Sequence, residues 1–140
     1  MKSLIEFAGK WRGTSTLHLP EVEPDASESE LTITPVVGGR FLRLDYTWAQ
    51  RGKAQEGSLL MGVDAACWVD TWHMSNKMMI CALQGEFSYL GSFAVPPGPD
   101  WGWRINLVPE LPERLRIVMT NIAPGEDGDL AVDAVYSRIP

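Results

Sequence analysis

Apolar and polar residues alternate along most of this chain with a period of two, the pattern of strands that bury one face. In the segment that begins at Gly9, Trp11 and Leu17 share one face, while Lys10 and Arg12 share the other. The remaining chain divides into similar short segments separated by glycine, proline and acidic residues. Because no long window follows the helical period, the pattern predicts an all-β protein.

Two turn signals predict the strand register independently. A hairpin centred on Gly38-Gly39 places Ile33 opposite Leu44, with apolar residues throughout that face. A second turn at Arg51-Gly52 places Leu59 opposite Leu44 as well. The two turns therefore agree on which face is buried. The agreement is informative, because a slip of one residue at either turn would move every side chain of the strand to the other face.

Further turn signals continue the antiparallel meander. A turn at Ala65-Ala66 predicts Trp72 opposite Leu59, and a turn at Asn76-Lys77 predicts Trp72 opposite Cys81. Both pairings keep large apolar side chains on the inward face that the earlier hairpins define. We therefore expect this middle part of the chain to line the same interior.

The same register predicts a direction for each reactive side chain. Asp70 is expected to point inward between two tryptophans, and His73 is expected to point outward, opposite Ile80. Cys67 falls on the outer face and Cys81 on the inner face, which excludes a disulfide between them. Cys67 and His73 lie about 20 Å apart along an extended strand, so no metal site is expected.

Outside these hairpins the prediction depends on composition and alternation. Residues 20–30 carry five acidic and no basic side chains, which predicts a solvated loop. After a turn at Gly85-Glu86, the predicted inward residues are Ser88, Leu90 and Ser92. In the last strand, residues 130–139, the residues expected to share one face are Leu130, Val132, Ala134, Tyr136 and Arg138.

Together these segments predict one domain over residues 1–140, an antiparallel up-and-down barrel of about ten strands. One helical turn is expected within residues 3–8, before the first strand. Closure of the meander into a barrel removes the exposed strand edges that an open sheet would present.

Charge and hydropathy limit the classes of partner and the cellular location that are expected. The formal net charge is −6, with 18 acidic and 12 basic residues, and the basic residues do not cluster. This composition argues against nucleic acid and against anionic membranes as partners. The chain has neither a secretory apolar core near its start nor a run long enough to cross a bilayer, so we expect a cytoplasmic protein.

The two ends of the chain carry a family resemblance. Residues 9–11, Gly-Lys-Trp, together with Arg138 resemble the calycin pattern of lipocalins and fatty-acid-binding proteins. The resemblance implies that Gly9, Trp11 and Arg138 plug the closed end of the barrel, with the guanidinium over the indole. The chain resembles a bacterial lipocalin-like family of unknown function more closely. The residues that carry this resemblance are Gly62-Val63-Asp64, Trp68-Val69-Asp70-Thr71-Trp72, Pro124-Gly125-Glu126 and Tyr136-Ser137-Arg138.

Residues 9–13, Gly-Lys-Trp-Arg-Gly, also resemble the opening of the nitrobindin-like haem proteins. Those proteins ligate haem through a histidine close to the C-terminus. This chain has no histidine after His73. Because the family's ligand is missing, haem is disfavoured and no cofactor is expected.

The inward residues predict a lining for a small, mostly apolar ligand, whose burial would drive binding. The alternative is that the same rings fill the barrel as a solid core. The predicted lining consists of Leu44, Tyr46, Trp48, Leu59, Met61, Trp68, Asp70, Trp72, Cys81 and Trp103.

Two other functions stay open at this point. Asp70, desolvated among aromatic rings, is a candidate acid or base for an enzyme that acts on an apolar small molecule. Alternatively, the outward apolar residues Val69, Ile80 and Ala82 pack against a second copy in a homodimer.

Overall fold

The computed structural model of the protein describes residues 2–140, apart from the side chains of residues 2, 3 and 111. The elements in chain order are α1 (Lys2–Ile5), β1 (Gly9–Leu17), β2 (Asp25–Val36), β3 (Phe41–Gln50), β4 (Lys53–Met61), β5 (Ala65–Asp70), β6 (Met79–Gly85), β7 (Ser88–Phe93), β8 (Trp101–Leu111), β9 (Arg114–Ile122) and β10 (Asp129–Arg138).

The strands form a closed antiparallel barrel. Each strand pairs with its neighbours in the chain, and β1 also pairs with β10, where Trp11 lies opposite Arg138. Every strand is therefore hydrogen-bonded on both sides, which removes free edges. The prediction of an all-β, up-and-down barrel of about ten strands is confirmed. Among the residues described, none belongs to a helix with the length and hydropathy of a membrane span.

Both hairpin registers that the sequence predicted are confirmed. Ile33 lies opposite Leu44 across β2 and β3, and Leu59 lies opposite Leu44 across β3 and β4. Leu44 is 1% exposed and Leu59 is 3% exposed, so the face they share is the buried one. Turn geometry and hydrophobic pattern therefore specify this third of the barrel together.

The predicted pairings of β5 are wrong, although its inward face is right. Trp68, not Trp72, lies opposite Leu59, and Ala66, not Trp72, lies opposite Cys81. Both errors are shifts by an even number of residues, which preserve the face because strand side chains repeat every second residue. The β4–β5 turn is centred on Val63-Asp64 instead of Ala65-Ala66, closed by the Gly62 N–H donating to the Ala65 carbonyl oxygen. The β5–β6 connection after Asp70 is a folded loop rather than a two-residue turn.

Three other predictions are corrected. The acidic segment is not all loop, because β2 begins at Asp25, and Glu28 and Glu30 point outward on either side of buried Ser29. A register shift between Leu83 and Gly85 turns Tyr89 and Gly91 inward, in place of the predicted Ser88, Leu90 and Ser92. A similar shift between Leu130 and Val132 buries Ala131 and leaves Leu130 exposed. Bulges of this kind insert one residue, so they exchange the two faces.

The end of the barrel where β1 begins is closed by the N-terminal segment. Trp11 is fully buried, stacks on Phe7 with ring centroids 5.6 Å apart, and donates its Nε1–H to the Phe7 carbonyl oxygen at 2.9 Å. The Arg138 guanidinium carbon lies 4.5 Å from the centre of the Trp11 ring. Its two terminal nitrogens donate to the carbonyl oxygens of Ala8 and Glu6.

Gly9 permits this contact with Arg138. Its φ of 130° is one that glycine adopts without steric cost, and a Cβ there would lie 3.4 Å from the Arg138 Nη1. Gly9, Trp11 and Arg138 therefore lie together at the closed end, with each polar group of the plug hydrogen-bonded.

Candidate functional site

The opposite end of the barrel, which we call the mouth, is shaped by the loop between β5 and β6. Asp70, the last residue of β5, is 8% exposed. Its Oδ1 accepts hydrogen bonds from the backbone N–H groups of Trp72 at 3.3 Å, His73 at 2.7 Å and Met74 at 3.2 Å. An aspartate that accepts from the following residues stabilises a turn in the chain. Asp70 thus bends the loop into the mouth.

This bend overturns the prediction for His73. Instead of facing solvent opposite Ile80, its imidazole lies among aromatic rings, 4.3 Å from Trp103 and 4.6 Å from Phe93 between centroids. Trp68 lies 5.3 Å away on the same measure. The alternation of a strand no longer applies at residue 73, because the extended strand has already ended at residue 70.

A pocket of about 620 Å³ opens at the mouth. Its volume lies in the range of about 300–1,000 Å³ that is usual for small-molecule sites. We call it the mouth pocket, and its aromatic and amide walls are formed by Trp72, His73, Phe93, Trp101, Trp103 and Asn121.

Three polar atoms in the walls of this pocket have no partner. Among the residues that the structure describes, the buried side-chain atoms without a hydrogen bond are His73 Nδ1, Trp103 Nε1 and Asn121 Oδ1. All three residues line the mouth pocket, and Trp103 lies directly opposite Asn121 across β8 and β9. Buried polar groups are normally paired, and these three atoms are covered by neighbouring atoms of the protein, so they do not face the pocket.

Deeper in the barrel the space is nearly filled. The inner cavity has a volume of about 20 Å³, room for roughly one water molecule. Two pairs of its polar groups are hydrogen-bonded: Trp68 donates its Nε1–H to the Tyr46 hydroxyl at 2.7 Å, and Tyr136 shares a hydrogen bond with Ser29 at 2.8 Å. Trp72 and Trp103 line both the inner cavity and the mouth pocket, so the two spaces adjoin.

Burial shifts the pKa values of several side chains that line these two spaces. It raises the pKa of Tyr46, against a smaller lowering by the Trp68 hydrogen bond, and it raises the pKa of Tyr136 to about 12. Burial also raises the pKa of Asp70, although the backbone N–H groups of the loop oppose the rise. The pKa of His73 is lowered by burial and partly restored by the Asp70 carboxylate. The site therefore favours uncharged side chains.

Comparison with known proteins identifies the family. Residues 2–138 match the family described as protein of unknown function, DUF1579. The chain belongs to the DUF1579 family. The sequence-based resemblance to a lipocalin-like barrel family of unknown function is thereby confirmed. No curated protein matches the chain.

Solved structures with similar folds include Rv2717c from M. tuberculosis, which is 15% identical with a TM-score of 0.57 over 99% of this chain and 96% of that one. The S-type phycobiliprotein lyase CpeS from Guillardia theta is 11% identical, also with a TM-score of 0.57, over 99% and 92% of the two chains. A DUF3598 protein of unknown function from Nostoc punctiforme is 14% identical, with a TM-score of 0.53, over 97% of this chain and 48% of that chain. These similarities show the barrel fold.

The predicted lining of this DUF1579 barrel divides into two groups. Leu44, Leu59, Met61 and Cys81 lie in the packed core and line neither space, with burial raising the pKa of the Cys81 thiol to about 11. The other six surround the inner cavity: Tyr46, Trp48, Trp68, Asp70, Trp72 and Trp103.

Of the residues that form the aromatic and amide walls of the mouth pocket, the predicted lining lacked His73, Phe93, Trp101 and Asn121. A signal was available for Asn121, because it continues the inward alternation of Ile117 and Met119 as a polar residue on an apolar face. For His73 no such signal exists, since its position depends on the loop that Asp70 bends.

Proposed function

We propose that the protein binds a small, mostly apolar and aromatic molecule in the mouth pocket. The observation that carries this proposal is a ligand-sized pocket of about 620 Å³ at the mouth, whose walls include the rings of Trp72, Phe93, Trp101 and Trp103. Apolar burial against these rings would supply most of the affinity.

The proposal moves the binding site from the barrel interior to the mouth. The inner cavity holds about 20 Å³, because Trp68, Trp103 and Tyr46 fill the space that a ligand would need. The mouth pocket offers about 620 Å³. The barrel fold, shared with a phycobiliprotein lyase, is compatible with binding a small molecule.

Binding is favoured over catalysis by the role of Asp70. A general acid or base needs a free oxygen within hydrogen-bond reach of its substrate. The Oδ1 of Asp70 accepts three backbone N–H groups of its own loop, and Asp70 lines the inner cavity of about 20 Å³, which is too small for a substrate, rather than the mouth pocket. These contacts support a structural role for the residue that the sequence singled out as a candidate catalyst.

The test is a fluorescence titration of the full chain with a neutral polycyclic probe, N-phenyl-1-naphthylamine. We expect saturable binding with quenching of tryptophan emission, and Phe93→Ala should weaken it about tenfold because one wall of the pocket is lost. Phe41→Ala is the matched control, since Phe41 is exposed near the closed end. Absence of saturable binding, or equal weakening by both variants at unchanged melting temperature, would overturn the proposal.

A further inference from the structure

One outer side of the barrel, formed by β4, β5 and β6, is apolar. Leu60 on β4 lies opposite Cys67 on β5, and Cys67 lies opposite Ile80 on β6. Met78, which directly precedes β6, contacts Cys67, with 3.7 Å between the two sulfur atoms. We call this surface the side patch, and it consists of Leu60, Cys67, Val69, Met78, Ile80 and Ala82.

The side patch differs in charge from the outer face of β1 and β2. That face carries Arg12, Glu28 and Glu30, with Arg12 and Glu30 paired at 3.5 Å. In the described part of the chain, no charged side chain points outward from β5 or β6. Instead, Ile80 and Met78 are 66% and 68% exposed. Apolar side chains that are exposed together in a contiguous patch mark interaction sites.

The area of the side patch matches what a stable dimer needs. From the exposed fractions of its residues, the patch presents roughly 500 Å² of apolar surface. An interface of standard size buries about 800 Å² per partner, and homodimer interfaces are about 65% apolar, so about 500 Å² per partner is apolar. The side patch supplies this area by itself.

The relief of the side patch is complementary to itself. The outward side chains of β5 are small and half-buried: Ala65, Cys67 and Val69. The neighbouring strands present the larger and exposed Leu60 and Ile80, so the patch is a shallow groove between two ridges. A twofold axis that runs along the strands between β5 and β6 brings the Ile80 ridge of each copy over the β5 groove of the other.

Charge favours a second copy as the occupant of the side patch. The chain has a formal net charge of −6, so two copies repel each other where their acidic faces meet, and the side patch brings no carboxylate into such a contact. On one border Arg43 lies opposite Leu60 and pairs with Asp45 at 2.9 Å. On the other border Arg104 lies two strands beyond β6. This apolar centre with a polar rim is typical of protein interfaces and lacks the excess charge that would select an oppositely charged partner.

From the area, the relief and the charge of the side patch, we infer that the protein forms a homodimer through it. Ile80 of each copy packs on β5 of the other copy, near Cys67. None of the six patch residues lines the mouth pocket, so the inference goes beyond the proposed function and does not depend on it.

The test is sedimentation velocity of the full chain over a range of concentrations. A dimer should be the main species at about 50 μM, with a dissociation constant below about 10 μM. Ile80→Glu should raise that constant at least about 30-fold, because the dimer would then bury two carboxylates in an apolar contact. Val37→Glu is the matched control, since Val37 is 67% exposed on the β2–β3 hairpin and the substitution adds the same charge.

A second variant and a chemical probe make the test independent of any one substitution. Leu60→Glu, on a different strand of the side patch, should weaken the dimer as Ile80→Glu does. Far-ultraviolet circular dichroism checks that both variants keep the barrel. In the unaltered protein, iodoacetamide reaches half-buried Cys67 and not fully buried Cys81. The rate of Cys67 alkylation should fall several-fold between concentrations at which the monomer and the dimer predominate.

Three outcomes would overturn the inference. One is a protein that stays monomeric at about 200 μM, which would leave the side patch to a different partner. Another is a dimer that tolerates both Ile80→Glu and Leu60→Glu, or a Cys67 alkylation rate that does not change as the dimer forms, because the two copies would then meet elsewhere. The third is equal weakening by Val37→Glu and Ile80→Glu, which would attribute the effect to the added charge alone.

Discussion

The two ends of this barrel are built from the same kinds of side chain and differ in their hydrogen bonding. At the closed end the Trp11 indole N–H donates to Phe7, and the Arg138 guanidinium donates to two carbonyl oxygens. At the mouth the Trp103 indole N–H and the Asn121 amide oxygen have no partner. Unpaired buried groups cost stability, so the closed end is the better stabilised of the two, and the proposed ligand site lies at the end that lacks this stabilisation.

The largest expected effect tests the closed end. Trp11→Ala removes a fully buried ring, its hydrogen bond to Phe7 and its contact with Arg138, and should lower the free energy of unfolding by about 3–5 kcal/mol. Trp101→Ala at the partly exposed rim should cost less than about 1 kcal/mol. Urea unfolding followed by circular dichroism measures both. Equal losses would contradict the division of roles between the two ends.

A smaller loss of stability is expected for substitutions of Asp70, which holds the loop that shapes the mouth. Asp70→Ala removes the oxygen that accepts from Trp72, His73 and Met74, and should cost about 2 kcal/mol. Asp70→Asn keeps an acceptor oxygen at the same position and should cost less than half as much. Urea unfolding gives the two values, and hydrogen exchange at residues 72–74 reports the loop. A loss of stability in Asp70→Asn as large as in Asp70→Ala would show that the charge matters more than the hydrogen bonds.

These two regions also differ in how well sequence predicts them. The register of β2, β3 and β4 follows from local turn chemistry, because Gly38-Gly39 and Arg51-Gly52 leave few ways to pair Ile33, Leu44 and Leu59. The face of Trp68 was also predictable, since shifts by an even number of residues do not change it. Alternation therefore suffices wherever the chain stays in a regular strand.

The mouth was not predictable because side-chain contacts and bulges decide its geometry. His73 turns inward because Asp70 caps a loop, an interaction between side chain and backbone that no hydrophobic period reveals. Tyr89 faces inward because a bulge between Leu83 and Gly85 inserts one residue and reverses the alternation. The sequence therefore predicted the barrel and half of the residues that line the inner cavity, and it missed the walls of the mouth pocket apart from Trp72 and Trp103.

A third prediction concerns pH. Burial lowers the pKa of His73 below 6.5, with a partial offset from Asp70, so the unfolded chain binds a proton at higher pH than the folded one. The His73 contribution to the free energy of unfolding is therefore complete above about pH 6.5 and decreases as the pH falls toward the lowered folded pKa. Asp70 has the opposite sign, because its raised pKa lets the folded state take up a proton first as the pH falls.

The contribution of His73 to the free energy of unfolding is obtained by subtracting the value for a His73 variant from that for the unaltered protein. Urea unfolding of the unaltered protein and of His73→Phe is compared at several pH values between about 7 and 5. The stability of the unaltered protein relative to the variant should decrease as the pH falls. His18→Asn serves as the control, since His18 lies at the rim and outside the aromatic cluster. A difference independent of pH would contradict the buried environment of the imidazole.

The smallest expected effect is a difference in stability between variants of two stacked tryptophans, Trp68 and Trp103. Trp68 and Trp103 are both buried and lie 5.3 Å apart, yet Trp68 donates to Tyr46 and Trp103 has no partner. Phenylalanine at either position removes the indole N–H and a similar volume. Trp68→Phe additionally leaves the Tyr46 hydroxyl without its donor, so it should be about 1 kcal/mol more destabilising than Trp103→Phe.

In ligand binding the order should reverse. Trp103→Phe shrinks a ring that lines the mouth pocket and should weaken the binding of N-phenyl-1-naphthylamine several-fold, whereas Trp68 does not line that pocket. Urea unfolding and fluorescence titrations with this probe on the same two variants provide both measurements. If Trp103→Phe were the more destabilising variant and left probe affinity unchanged, the unpartnered indole would be part of the packing, and the contrast between mouth and closed end would lose its functional meaning.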